Sequence, residues 1–173
     1  MKPKLLLLSD LWGSEKADWI MHYFEQLSPY YKCHYYDCCE LGGVDKSIYE
    51  QEHLHRQFVH GGIERAVENL LDLEKEEVFI LAFSVGGTIA WKAALKGLRV
   101  QQLWAISATR LRYENERPDI PIHLLFGAKD GFRPPSDWLN KMNVNYEIIP
   151  EQGHNLYYDH SCFSRVLKAL GIR

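Results

Sequence analysis

Short apolar runs alternate along the chain with amphipathic stretches, and this alternation restricts the available folds more than any other feature. Residues 5–8 are four consecutive leucines, apolar on both faces as a central parallel strand would be. Residues 32–37, 78–83, 102–106, 122–126 and 146–149 read as further strands, with 78–83 the clearest. Between them, apolar residues recur at helical spacing. Trp19, Ile20, Tyr23, Phe24 and Leu27 mark a helix over 15–27 that Ser28-Pro29 stops. Ile63, Ala66, Val67, Leu70 and Leu71 mark a second, and an alanine-rich stretch from Gly86-Gly87 to near Gly97 a third. A short helix is predicted over 136–142. Phe163, Val166, Leu167 and Leu170 define a closing helix, with Gly171 at its stop. The polar segment from Cys39 to about Gln57 has no clear periodicity.

Strands alternating with helices predict an α/β fold: a three-layer sandwich whose mostly parallel six-stranded sheet carries helices on both faces, as a single domain over 1–173. Right-handed crossovers bring every strand-to-helix turn to one edge of the sheet, the edge where such folds bind ligands.

Composition removes several classes of function. The 173 residues are 46% hydrophobic and 25% charged, the balance of a globular domain able to bury a core without staples. The net charge is −3 and basic residues never run beyond a pair, so no nucleic-acid partner is expected. The start, Met1-Lys2-Pro3-Lys4 and the leucines, has the look of a signal peptide, but the apolar run is short and Ser9-Asp10 offers no small-residue cleavage site. No stretch approaches the roughly 20 apolar residues of a membrane span. Cys33, Cys38, Cys39 and Cys162 have neither zinc-ligand spacing nor a CxxC pair, so free thiols in a reducing cytoplasm are expected. His53 and His55, with His60 beyond, lack a placed carboxylate, and no metal is expected. Neither a Walker loop nor a GxGxxG is present, and no cofactor is expected.

The most informative segment runs Val78-Phe79-Ile80-Leu81-Ala82-Phe83-Ser84-Val85-Gly86-Gly87. A strand passes into a helix through one serine flanked by small residues. A serine on so tight a turn has its hydroxyl lifted clear of the sheet, and crowding requires small residues two before and two after it. Ala82 and Gly86 occupy those positions, giving A-x-S-x-G in place of the usual G-x-S-x-G. The helix begins directly after Ser84, so its free N–H groups face any negative charge formed there. The Val85 N–H is the first candidate donor. Read by itself, such a turn also suits phosphate binding or simple chain reversal.

Two later segments have the same form. Ile122-His123-Leu124-Leu125-Phe126-Gly127-Ala128-Lys129-Asp130 is a strand, a glycine, and an aspartate shortly after. Tyr146-Glu147-Ile148-Ile149-Pro150-Glu151-Gln152-Gly153-His154 is a strand followed by Gly-His. The order Ser, Asp, His in these three segments resembles the α/β-hydrolase superfamily, and the resemblance extends from Lys4 to Leu170. It implies Ser84 as nucleophile, His154 as its base and Asp130 as the acid that fixes the histidine tautomer. Asp119, in a proline-rich connection, is the rival acid. His160, at the start of the last helix, and His123, inside a strand, are the rival bases.

The family commonly has His-Gly in the loop after the strand beside the nucleophile strand. Here Ser9-Asp10-Leu11-Trp12-Gly13-Ser14 stands in its place. Leu11 is the candidate second oxyanion donor, with Trp12 next. Trp12, Phe132 and Arg133 are the candidate pocket residues, Arg133 as a partner for a substrate carboxylate; a solvated arginine before Pro134-Pro135 is the alternative. About fifteen residues join the strands at 106 and 122, too few for a cap domain, although residues 40–57 follow the second strand at the functional edge and could overhang it. Cys38 and Cys39 lack the strand-to-glycine turn of a nucleophile. The resemblance implies a small acyl substrate, an ester before a thioester or amide. A catalytically silent binding protein of this fold, or a flavodoxin-like binding domain, would share the strand pattern, though Asp10 would repel a phosphate after the first strand.

Overall fold

The computed structural model describes residues 1–169 and Gly171. Six strands form one sheet in the order β2-β1-β3-β4-β5-β6. They are β1 (Lys4–Leu8), β2 (Lys32–Tyr36), β3 (Val78–Phe83), β4 (Val100–Ile106), β5 (Ile122–Gly127) and β6 (Asn145–Ile149). Every neighbouring pair is parallel. The helices are α1 (Ile20–Leu27), α2 (Cys38–Gly42), α3 (Gln51–Gln57), α4 (Ile63–Leu73), α5 (Val85–Leu95), α6 (Ser136–Met142) and α7 (His160–Ala169).

Alternate side chains of each strand point to opposite faces, and this period of two sorts the core into two halves. Leu6, Leu8, Ile80, Ala82, Leu103, Ala105, Leu124 and Phe126 pack with residues of α2 to α6. Leu5, Leu7, Leu81, Phe83, Trp104, Ile106 and Leu125 pack with Ile20, Tyr23 and Leu27 of α1 and Cys162, Phe163 and Val166 of α7. Leu5, Leu6, Leu7 and Leu8 have no exposed surface. Each stabilises the fold by roughly 1.5–3 kcal/mol through apolar burial. The predicted three-layer architecture is the one observed.

The differences from the sequence reading lie at element ends and in the polar segment. The helix expected over 15–27 divides into a helical turn, Gly13–Lys16, and α1. The carboxylate of Asp37 accepts the Ser14 N–H at 2.9 Å and so ties that turn to the end of β2. β4 starts two residues early, at Val100, and an irregularity at Val78/Phe79 absorbs the extra residue. The undecided segment folds into α2 and α3. Asp37 caps α2 by accepting the N–H groups of Cys39 and Glu40, and Gly43 ends it at φ 58°. Leu170, expected in the closing helix, lies outside the described residues. No helix among the described residues is long and apolar enough to cross a membrane.

Gly127, at the end of β5, holds the strand ends together: an added Cβ would overlap the backbone oxygens of Gln152 and Gly153, in the connection after β6. Gly127→Ala is expected to cost about 1–3 kcal/mol through this backbone clash. Urea denaturation checks it, and an unchanged midpoint would contradict the tight approach.

Candidate active site

Ser84 joins β3 to α5 with φ 52° and ψ −119°, a left-handed conformation that L-residues avoid. The turn is pinned on both sides. The Ser84 N–H donates to Ile106 O at the end of β4 at 2.8 Å, and the Gly87 N–H donates to Ser84 O at 3.0 Å. The glycines that follow are small for an identifiable reason. A Cβ on Gly86 would lie 2.5 Å from Ser9 O and 2.9 Å from Leu8 O, and one on Gly87 would lie 2.5 Å from the Ala108 Cβ. Only without those atoms can the first turn of α5 settle between the ends of β1 and β4.

Three side chains from three connections meet above this turn. Ser84 Oγ lies 3.0 Å from His154 Nε2, and His154 Nδ1 lies 2.7 Å from Asp130 Oδ2. An ionised carboxylate only accepts, so Nδ1 carries the ring proton and donates it to Asp130. Nε2 is then bare and accepts the Ser84 hydroxyl. Asp130 is buried, and its other oxygen accepts the Phe132 N–H at 3.1 Å. Burial pushes its pKa up, but the hydrogen bonds from His154 and Phe132 outweigh this and hold the carboxyl below its ordinary value. The loop carrying His154 is fixed in turn by Ser107, whose hydroxyl donates to His154 O at 2.6 Å. Ser107 is itself at a positive φ of 55°.

Asp10 ties the first loop to the histidine loop. Its Oδ2 accepts the hydroxyls of Tyr157 and Tyr158, each at 3.0 Å, and its Oδ1 accepts the Trp12 N–H at 3.0 Å. Burial raises its pKa, with these three donors opposing the rise. The buried thiols beneath this loop act as donors: Cys38 Sγ to Ser9 O and Cys39 Sγ to Leu11 O, both at 3.1 Å. Burial pushes the Cys39 thiol up to about 12, which keeps it protonated near neutral pH. All four cysteines are free.

These residues open into a cavity of about 800 Å³. Ser84, Val85, Leu11, Trp12, Asp130, His154 and Phe132 all line it. Among the described residues, the backbone N–H groups of Leu11 and Val85 carry no hydrogen bond. Arg133 is placed differently: it faces a separate, smaller depression, and its Nη1 donates to Ala128 O at 2.8 Å and Asp130 O at 3.1 Å. Through these two bonds Nη1 braces the Asp130 loop from outside. The rivals stay apart: Asp119 and His160 are exposed, and His123 lies within β5, 3.4 Å from Glu147.

Several lining residues were not legible in the sequence. Gln51, Glu52 and His55 of α3, with Phe58 just beyond it, cover one side of the cavity, so the polar segment does overhang the functional edge. Thr109, Arg110 and Arg112, in the helical turn Thr109–Tyr113 after β4, form another wall. Tyr157 and Tyr158 directly follow the histidine loop, a position that the sequence alone gave no reason to single out. His55 reaches the cavity, whereas among the described residues no group of three His, Cys, Asp or Glu side chains is placed to hold a metal ion.

Comparison of the sequence with family models and with curated proteins finds no match. Solved structures do match. A Xanthomonas campestris protein assigned to the alpha/beta hydrolase superfamily aligns with a TM-score of 0.65 at 17% identity, covering 97% of this chain and 99% of its own. The alpha/beta hydrolase domain-containing protein 10 from mouse aligns at 0.67 and 12% identity, covering 99% and 89%. The carboxylesterase CesB from Bacillus subtilis aligns at 0.65 and 15% identity, covering 98% and 84%. The chain therefore has the α/β-hydrolase fold, in a compact form without a cap domain between β4 and β5.

Folding lowers the Asp130 pKa, so its ionised form contributes stability that is present above the ordinary aspartate range and lost as pH falls through the folded value. Asp130→Asn is expected to reduce the free energy of unfolding at pH 7 by about 1–3 kcal/mol. That deficit should shrink between about pH 5 and pH 2. Urea titrations at both ends of this range test it; a deficit independent of pH would contradict the ionised, hydrogen-bonded carboxylate.

Proposed function

We propose that the protein is a serine hydrolase of the carboxylesterase type that cleaves a small acyl ester through an acyl-enzyme. The observation that carries this reading is the unbroken hydrogen-bond series from the Ser84 hydroxyl through the His154 ring to the Asp130 carboxylate.

A neutral serine hydroxyl is a weak nucleophile. His154 Nε2 accepts its proton as Ser84 Oγ attacks the ester carbonyl, and Asp130 stabilises the imidazolium that forms. The carbonyl oxygen becomes an oxyanion, for which the unbonded N–H groups of Val85 and Leu11 are the donors on the cavity wall. Each such donor is worth roughly 3–4 kcal/mol in the transition state. The intermediate collapses as His154 passes its proton to the departing alcohol, leaving the acyl group on Ser84. Water then attacks that ester with His154 again as base, releasing the acid and restoring the serine. Protein groups and water complete the cycle, so no cofactor is required.

Several further features support the reading. Ser84 is held at a costly backbone angle by well-packed neighbours, an arrangement typical of functional turns. Cys38 and Cys39, the other potential nucleophiles near the first loop, are engaged as donors. The cavity has the size of a small-molecule site, and α3 supplies one of its walls.

A fluorophosphonate probe should label the wild-type protein at Ser84, and Ser84→Ala should abolish labelling. His154→Ala should lower kcat on short p-nitrophenyl esters by at least about a thousandfold. Undiminished labelling of Ser84→Ala would overturn the nucleophile assignment.

A further inference from the structure

The cavity wall facing α3 carries positive charge without a protein counter-ion. Arg110 and Arg112 lie on the turn after β4, and His55 on α3 joins them at the cavity surface. The Arg110 guanidinium makes no hydrogen bond or ion pair among the described residues; its neighbour is the ring of Tyr113, with Cζ 5.1 Å from the centroid. Arg112 is anchored, donating to Thr109 O at 2.8 Å and Phe132 O at 3.3 Å, with the Phe132 ring 5.5 Å from its Cζ. His55 is held below its ordinary pKa first by burial and then by these two guanidinium groups, which places all three within electrostatic reach of one another.

None of the acids that share the cavity is paired with Arg110 or Arg112. Asp10 accepts from Trp12, Tyr157 and Tyr158. Asp130 is taken by His154 and Phe132. Glu52 is paired with Arg56, one turn along α3, at 3.2 Å. A partly buried guanidinium without a partner is unfavourable, and its planar fork matches a carboxylate.

We propose that this wall, with Arg110 as its free group, binds a carboxylate on the substrate, so that the ester cleaved at Ser84 is an anionic one. This rests on the reading of Ser84 as the nucleophile and narrows its substrate class. Arg133, the arginine nearest Asp130 in sequence, is excluded from the role because it does not line this cavity: it faces the separate depression, with its Nη1 on the carbonyls of Ala128 and Asp130. Arg112 serves as a positioning residue: it links the turn after β4 to the Asp130 loop through the Phe132 carbonyl.

Two substrate series test the proposal and identify the charged half. In the first, mono-p-nitrophenyl esters of dicarboxylic acids from glutarate to suberate are compared with p-nitrophenyl esters of equal chain length. In the second, 4-acetoxybenzoate is compared with its methyl ester. The wild-type protein should favour the anionic member of at least one series by about tenfold or more in kcat/KM, as expected for a charge-assisted contact. In Arg110→Gln that ratio should fall towards one, and Arg110→Lys should restore part of it, with circular dichroism verifying the fold of both variants. Turnover of neutral esters with no anionic preference in either series would overturn the proposal while leaving the serine hydrolase reading in place. Failure to turn over any ester, together with an unlabelled Ser84, would remove both.

Discussion

The placement of Ser84 governs the rest of the site. A β-strand that ends in a left-handed residue and becomes a helix one position later must bring two backbones very close together. Here the closeness is absolute: Gly86 lies against the carbonyls of Leu8 and Ser9, and Gly87 against Ala108. The strain at Ser84 is maintained because the strand segments that lead up to it, Leu5–Leu8 of β1, residues 80–83 of β3 and 103–106 of β4, are buried and cannot relax around it. Once the serine is lifted above the sheet, the loops after β5 and β6 reach it with Asp130 and His154. The approach of Gly127 to the Gln152–Gly153 backbone keeps those two loops in register with one another.

Around that centre lies a set of polar contacts whose members do not themselves touch the serine. Asp10 joins the first loop to Tyr157 and Tyr158, Ser107 grips the carbonyl of His154, and the thiols of Cys38 and Cys39 hold carbonyls of the loop that contains Leu11. The loops after β1, β4 and β6, together with α2, thus form one connected support. At the corner after the first strand this chain uses a buried carboxylate and two tyrosines.

Much of the fold could be read from the sequence because strand cores and helix faces are repetitive. The leucines of β1 and the apolar spacing in α4 leave little freedom, and the three residues of the hydrogen-bonded series stand in strand-glycine contexts that identify themselves. The segment from Cys39 to Gln57 was obscure for the opposite reason. Its helices are short, α2 depends on a cap from Asp37, and α3 has a single fully buried core residue, Leu54. Arg133 illustrates the limit of proximity in sequence: it follows Asp130 by three residues, yet its side chain turns away to backbone carbonyls. Arg110 and Arg112 sit in a connection with no motif at all, and only the tertiary packing of the turn against α5 and Phe132 brings them to the cavity.

The central claim is that Ser84, His154, Asp130 and the N–H groups of Val85 and Leu11 form one preorganised acyl-transfer centre. A crystal structure of the protein treated with an organophosphorus inhibitor tests it most directly. The account predicts phosphorus bonded to Ser84 Oγ, with one phosphoryl oxygen accepting hydrogen bonds from both backbone N–H groups and the His154–Asp130 contact retained. An adduct on another residue, or on Ser84 with that oxygen pointing away from Val85 and Leu11 into solvent, would contradict it.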